Sequence, residues 1–210
     1  MVSKGLFIVC EGIDGCGKTT QAQLLVNWIF SNYKVVDSIL LTREPTKSKY
    51  GLELSQRLRE MKSFEENKER LLELFVLDRE QHVDNQIIPL LEQKAIIICD
   101  RYKYSTIAYQ AAQGIPVART IDDNAGFPIP DLVLIFNASV DNCVKRTHGK
   151  QGMDTFEKKD FLERVKANYA TLPKLLPKEK FHIINANASI EQVHQDVLKE
   201  IKPLLDSISK

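Results

Sequence analysis

The chain has 210 residues, 43% of them hydrophobic, which suits one α/β domain, and no Pro/Gly/Ser-rich linker divides it. Its 29 basic and 28 acidic residues are spread along the sequence, which argues against a broad nucleic-acid-binding or membrane-binding face and leaves local charge for a small phosphorylated ligand. Cys10, Cys16, Cys99 and Cys143 form no CxxC pair and no metal-like spacing with the four histidines; with a strand at the very start and no apolar run of membrane-spanning length, the expectation is a reduced, cytoplasmic protein without a leader segment.

Gly5 to Cys10 is a short apolar run with β-branched and aromatic residues, as in a strand buried on both faces. Gly12-Ile-Asp-Gly-Cys-Gly-Lys-Thr19 follows, with the spacing of a phosphate-binding loop, and apolar residues from Thr20 to Phe30 recur at helical spacing. The chemistry requires backbone N–H groups turned inward around a phosphate, which Gly12, Gly15 and Gly17 permit by lacking side chains that would block the turn or the approach. Lys18 then sets a charge on the outer phosphates, the Thr19 hydroxyl can ligate a phosphate-bound Mg²⁺, and the helix start adds its positive dipole end.

Val35 to Thr42 reads as a second strand delivering Arg43-Glu44-Pro45 at its carboxyl end, where parallel α/β sheets bind ligands. Arg43 there is either a phosphate ligand or the partner of Glu44 in a surface ion pair. Pro45 holds Glu44 extended and leaves the peptide between them trans or cis. Tyr50 to Met61 reads as a helix, and Glu65 to Leu91 as a longer one that Pro89 kinks or ends. Phe75 and Arg79, four apart, share a helical face; the pair either stacks on a flat ring and reads its edge, or is a core residue beside a solvated charge.

Ala95 to Cys99 is the strongest central-strand signal, and it ends in Asp100-Arg101-Tyr102. Beside a phosphate loop, Asp100 can hold the water shell of Mg²⁺ or orient a hydroxyl, and Arg101 can neutralise a phosphate; the bland reading is an N-cap Asp and an exposed Arg. Tyr104 to Gln113 is a helix, Ala118 to Ala125 a weaker one, and Asp131 to Phe136 a strand. Ser139 to His148 is a helix capped by Ser139, running into the basic segment Lys145 to Gly152, which is either a lid that brings cations over phosphates or a solvated loop. Phe156 to Leu176 is helical, Phe181 to Asn185 a last strand, and Ile190 to Ile208 a closing amphipathic helix. Five strands alternating with helices predict a parallel sheet covered on both faces.

The ordered set Gly12 to Thr20, Thr42-Arg-Glu-Pro45, Leu74-Phe75 with Arg79, Asp100-Arg-Tyr102, Ser105-Thr-Ile-Ala-Tyr-Gln110 and Pro130-Asp-Leu-Val-Leu134 resembles the thymidylate kinases over nearly the whole chain. The resemblance implies a single three-layer P-loop kinase domain over 1–210, with five parallel strands and a short lid at about 146–156. It implies phosphorylation of dTMP to dTDP by ATP with Mg²⁺, and a homodimer. Within it, Gly12, Ile13, Asp14, Gly15, Cys16, Gly17, Lys18, Thr19 and Thr20 would hold ATP, with Arg146 on adenine or phosphates. Thr19 and Asp100 would serve the metal, although Asp100 could instead assist the acceptor phosphate. Asp14 would meet the acceptor 3′-hydroxyl, and Arg43 and Arg101 would clamp the dTMP phosphate. Phe75 would stack on thymine, Arg79 bond its O4 edge and Tyr109 pack against the sugar, with Ser105, Thr106 or Gln110 completing the base pocket.

Two positions depart from the family pattern. Some members carry an arginine inside the phosphate loop, where this chain has Gly15 and Cys16. After the lid, where Arg-Tyr-Glu is common, it has Thr155-Phe156-Glu157, so the catalytic cation falls to Arg146 or Lys150. A nucleotide switch is disfavoured because no Asn-Lys-x-Asp guanine-reading motif is present; a non-catalytic nucleotide sensor is the competing class.

Overall fold

The computed structural model describes residues 5–61, 63, 67–147 and 155–208, with the backbone alone at 155–158. Five strands, β1 (Leu6–Glu11), β2 (Ile39–Arg43), β3 (Ile96–Asp100), β4 (Leu132–Asn137) and β5 (Phe181–Asn185), form one sheet in the order β2-β3-β1-β4-β5, parallel throughout. The three central strands are buried along nearly their whole length, which is why their sequences are continuous apolar runs and do not alternate.

Right-handed crossovers place the helices. The connection from β1 to β2, through α1 (Lys18–Asn32), runs toward one edge; those from β2 to β3, β3 to β4 and β4 to β5 run the other way, so α3 (Lys68–His82), α5 (Lys103–Ala112) and α8 (Thr155–Leu175) line the opposite face. The closing helix α9 (Ile190–Ile208) packs against α1, completing three layers. The crossover direction reverses beside β1, and the crevice at its carboxyl end is where this sheet type binds ligands. Register there is tight: Arg43 lies opposite Asp100, and Asp100 opposite Cys10.

Ser139 caps α7 (Val140–Arg146), accepting the Asn142 amide at 3.3 Å, as the sequence predicts. Other boundaries move. The expected start of β2 at Val35 is a turn closed by Val36 N–H on Tyr33 O at 3.2 Å, so the two valines there are outside the sheet. The expected single helix to Leu91 breaks into α3, a π-helical turn (Val83–Ile87) and α4 (Ile88–Glu92). Pro89 supplies the reason: it has no N–H, and its ring crowds the carbonyl four residues earlier, so the backbone widens one turn before it. A short α2 (Lys49–Glu60) and α6 (Val117–Asp122) complete the elements, the latter ending three residues sooner than the sequence suggests.

Candidate active site at the carboxyl edge of the sheet

The loop after β1 adopts the conformations its glycines allow. Gly12, Gly15 and Gly17 have φ of 141°, 85° and 98°. A Cβ on Gly15 would lie 2.4 Å from the Cys143 carbonyl oxygen, and one on Gly12 2.7 Å from that of Phe136. A Cβ on Gly17 would meet nothing within 4 Å, so there the backbone conformation alone selects glycine. Gly15→Ala is therefore expected to displace the loop from α7 and raise the KM for ATP by at least tenfold, because the amides expected to hold its phosphates lose alignment; unchanged steady-state kinetics would contradict this geometry.

Lys18 is buried inside the loop, and its Nζ donates to the Ile13 carbonyl at 3.0 Å with Cys16 Sγ at 3.7 Å. Thr19, the second residue of α1, donates its hydroxyl to Asp100 Oδ2 in a very short bond. Asp100 is buried at the end of β3, and its Oδ1 has no hydrogen-bond partner among the described residues. It does not cap α5, whose N-cap residue is Tyr102.

Arg101 follows with a left-handed φ of 74°. Its Nη1 donates to Ser105 Oγ at 2.8 Å, and its Nη2 to Asp14 Oδ1 at 2.9 Å and Tyr109 OH at 3.3 Å. The Tyr109 ring lies 5.1 Å from the guanidinium, and burial pushes that phenol well above its ordinary pKa, so Tyr109 acts as a neutral hydroxyl. Arg43 stands exposed at the end of β2, across the ladder from Asp100. It does not pair with Glu44 at the surface, because Glu44 turns into the protein.

Glu44 joins a buried network. Its Oε2 accepts Arg79 Nε at 2.9 Å and Nη2 at 2.8 Å, and its Oε1 lies 3.0 Å from His82 Nδ1, with His82 Nε2 2.8 Å from Thr42 Oγ1. The Arg79 guanidinium also donates to Asn124 Oδ1, in a very short bond, and to Thr106 Oγ1 at 2.9 Å. Arg79 is thus fully enclosed, not a solvated charge. The Glu44–Pro45 peptide is cis. Phe75, on the same face of α3, is half-buried against Leu54, Leu71 and Leu74. Gln110 is buried with Nε2 on Gln113 Oε1 at 2.9 Å and Oε1 without a partner among the described residues.

Arg146 ends α7, exposed, and donates to the Ala186 carbonyl at 3.4 Å in the loop after β5. Lys150 and most of the expected lid lie outside the described residues. The sequence reading assigned no role to Glu11 or Asp78. Glu11 is fully buried at the end of β1; burial raises its pKa, and Arg101, Ser105, the Tyr102 amide and Tyr169 oppose the shift. A carboxylate ending an otherwise apolar strand was the available signal. Asp78 accepts Thr46 N–H at 2.8 Å and the Thr46 and Ser48 hydroxyls at 2.5 and 2.6 Å, fixing the turn after Pro45.

A sequence profile of the family described as thymidylate kinase matches residues 10–197. The chain is 38% identical over 205 residues to a probable thymidylate kinase of Pyrococcus abyssi, covering 95% of this chain and 97% of that one. It is 36% identical over 203 residues to a thymidylate kinase of Desulfotalea psychrophila, covering 96% of each. The crystal structure of thymidylate kinase from Ehrlichia chaffeensis superposes with a TM-score of 0.75 at 29% identity, over 94% of this chain and 99% of that one.

Proposed function

The chain belongs to the thymidylate kinase family, phosphorylating dTMP to dTDP with ATP, and from that premise we propose which of its residues align donor and acceptor and that the donor is held with Mg²⁺. The observation that carries the reading is the contact between Thr19 and Asp100, which joins the phosphate loop to the end of β3 and so brings together the segments that carry Lys18 and Arg101.

The acceptor is a phosphate oxygen. A phosphomonoester has its second pKa near about 6, so dTMP is largely a dianion at neutral pH and needs no protein base. The acceptor oxygen bonds to the γ-phosphorus as the bridging β–γ oxygen leaves with ADP. The protein's contribution is alignment and charge. The loop amides and Lys18 hold the donor phosphates, with Arg146 beside the adenosine; Arg43 and Arg101 hold the acceptor phosphate, and Asp14 the 3′-hydroxyl. Phe75 stacks on thymine, and Arg79, enclosed here by Glu44, Asn124 and Thr106, meets its O4 edge by turning an Nη N–H away from Asn124 or Thr106. Tyr109 lies against the sugar. Gln110 Oε1, without a partner among the described residues, suits the N3–H of the base, on the same helix as Ser105 and Thr106.

Magnesium fits the residues present. Asp100 Oδ1 is a buried carboxylate oxygen without a partner among the described residues, and Thr19 Oγ1 is beside its other oxygen. Mg²⁺ on a nucleotide takes one or two protein carboxylates and keeps phosphate and water ligands, in accord with no group of three His, Cys, Asp or Glu gathered for a metal among the described residues. The ion neutralises phosphate charge when bound; Thr19 and Asp100 are the residues that would hold it.

A coupled ADP-release assay offering dTMP, dUMP, dCMP, dGMP, AMP and thymidine separately tests the reading. Turnover with dTMP is expected to exceed that with dUMP by about 10- to 200-fold, the worth of one methyl in a pocket. Preference for thymidine or another monophosphate would overturn the pocket assignment. ATP binding without transfer to any acceptor would favour a sensor.

The chain further reads as one catalytic domain, in a cytoplasmic compartment suited to four free, buried cysteines, and as a homodimer. A groove of about 660 Å³ along α3, the π turn and α4 sets apolar residues such as Val83, Ile88 and Phe127 among the acidic Glu80, Asp84, Glu92 and Asp123, and the exposed Ile88 is the apolar position there that a second copy would cover. Light scattering is expected to give twice the 24.0 kDa chain mass, and Ile88→Glu to halve it; a monomeric wild type would overturn the dimer.

A further inference from the structure

Arg101 occupies a backbone conformation that side chains other than glycine's rarely adopt, at φ 74°. Such a residue persists only where its neighbours over-determine it. Here both flanks are tied to the end of β1: Arg101 N–H donates to the Cys10 carbonyl at 3.0 Å, and Tyr102 N–H donates to Glu11 Oε1 at 2.8 Å. The side chain is tied to the same carboxylate one step removed. Arg101 Nη1 donates to Ser105 Oγ at 2.8 Å, and Ser105 sends its own proton to Glu11 Oε2 at 2.6 Å.

Glu11 also accepts Ser105 N–H at 3.0 Å and the Tyr169 hydroxyl at 2.8 Å. Four donors therefore fill the acceptor capacity of an ionised carboxylate. A fully buried charge is costly unless paired and bonded, and an apolar residue would serve a merely packed strand end better. Committing the single Ser105 proton to Glu11 leaves that hydroxyl as an acceptor, for Arg101 and for the Tyr169 hydroxyl 2.9 Å away, and that sets the direction of the bond from Arg101. Tyr169, on α8, also packs its ring 6.4 Å from Tyr109, the ring against which the guanidinium stacks.

We infer that Glu11 is a positioning residue for the acceptor-phosphate clamp: it locks the Arg101 backbone through Tyr102 N–H and aims the Arg101 guanidinium through Ser105, with Tyr169 as its buttress. This rests on the reading that Arg101 holds the dTMP phosphate. In Glu11→Gln, one carboxylate oxygen becomes an NH₂ that faces the Ser105 and Tyr169 hydroxyls as a donor, so Ser105 can no longer be held solely as an acceptor.

The test is steady-state kinetics of Glu11→Gln, Tyr169→Phe, Arg101→Ala and the double variant Glu11→Gln/Arg101→Ala, varying ATP and dTMP in turn. Losing a charge-assisted bond is expected to raise the KM for dTMP about tenfold in Glu11→Gln and about threefold in Tyr169→Phe, with the KM for ATP within about twofold of wild type. Because Glu11 acts through Arg101, the double variant should have the dTMP KM of Arg101→Ala alone. Equal rises for both substrates, or additive effects in the double variant, would reduce Glu11 to a structural role and overturn the inference. An unchanged dTMP KM in Arg101→Ala would overturn the clamp reading itself, and is distinguishable because it appears in a variant with Glu11 intact. Should Glu11→Gln fail to fold, Tyr169→Phe carries the same substrate split.

Discussion

Lys18→Met is expected to lower kcat by about three orders of magnitude while leaving the protein folded. Removing one preorganised donor from a site that stabilises developing charge costs about 10²- to 10³-fold, and Lys18 brings a formal charge as well as donors. In the structure its ammonium makes one firm bond, to the Ile13 carbonyl at 3.0 Å, and a weaker contact with Cys16 Sγ at 3.7 Å. Its remaining donor capacity is available to the phosphates the loop is proposed to encircle. Methionine keeps the length of the apolar stem, which lies buried among loop atoms, so the loss should fall on transfer and not on folding. Single-turnover measurement of ADP formation at saturating ATP and dTMP, alongside a thermal melt, checks both halves. A fall in kcat of less than tenfold would show that the lysine positions the loop without stabilising the moving phosphoryl group.

The phosphate loop was legible in the sequence because binding a phosphate with backbone amides requires contiguous residues, and contiguity is what a sequence preserves. Asp100 and Arg101 were legible for a related reason: charge at the end of an apolar strand stands out. Glu44 was misleading in the same terms. Next to Arg43 it looked like half of a surface pair, but its partners are Arg79 and His82, 35 and 38 residues away. Glu11 was overlooked because its donors lie 91 to 158 residues further along. Bonds of that span depend on which helices the crossovers stack over β1, and local pattern carries no record of it. The π turn escaped for a smaller reason: Pro89 announces a disturbance, but whether the helix ends, kinks or widens by one residue depends on what packs against it.

The same long-range network sets the largest stability effect expected in the molecule. Glu44→Ala would leave the Arg79 guanidinium enclosed without its carboxylate and the buried His82 ring without its Nδ1 partner. Breaking a buried ion pair by removing one member costs about 3–5 kcal/mol, since the remaining charge is uncompensated. For a chain of this size each kcal/mol lowers Tm by about 2–4 °C, so a drop of about 6–20 °C is expected in calorimetry. Asn124 and Thr106 still accept from Arg79 in the variant, which keeps the loss toward the lower part of that range. Removing the charge as well, in Glu44→Ala/Arg79→Met, should recover part of the lost stability even though it deletes a second set of bonds, because a buried site without its carboxylate tolerates methionine better than an unpaired cation. Activity should not recover with it. The double variant lacks the guanidinium proposed to meet the thymine O4 edge, so its dTMP KM should stay high while its Tm rises. A double variant that melts below Glu44→Ala would show instead that Arg79 is held chiefly by its neutral partners and that Glu44 contributes little to its burial.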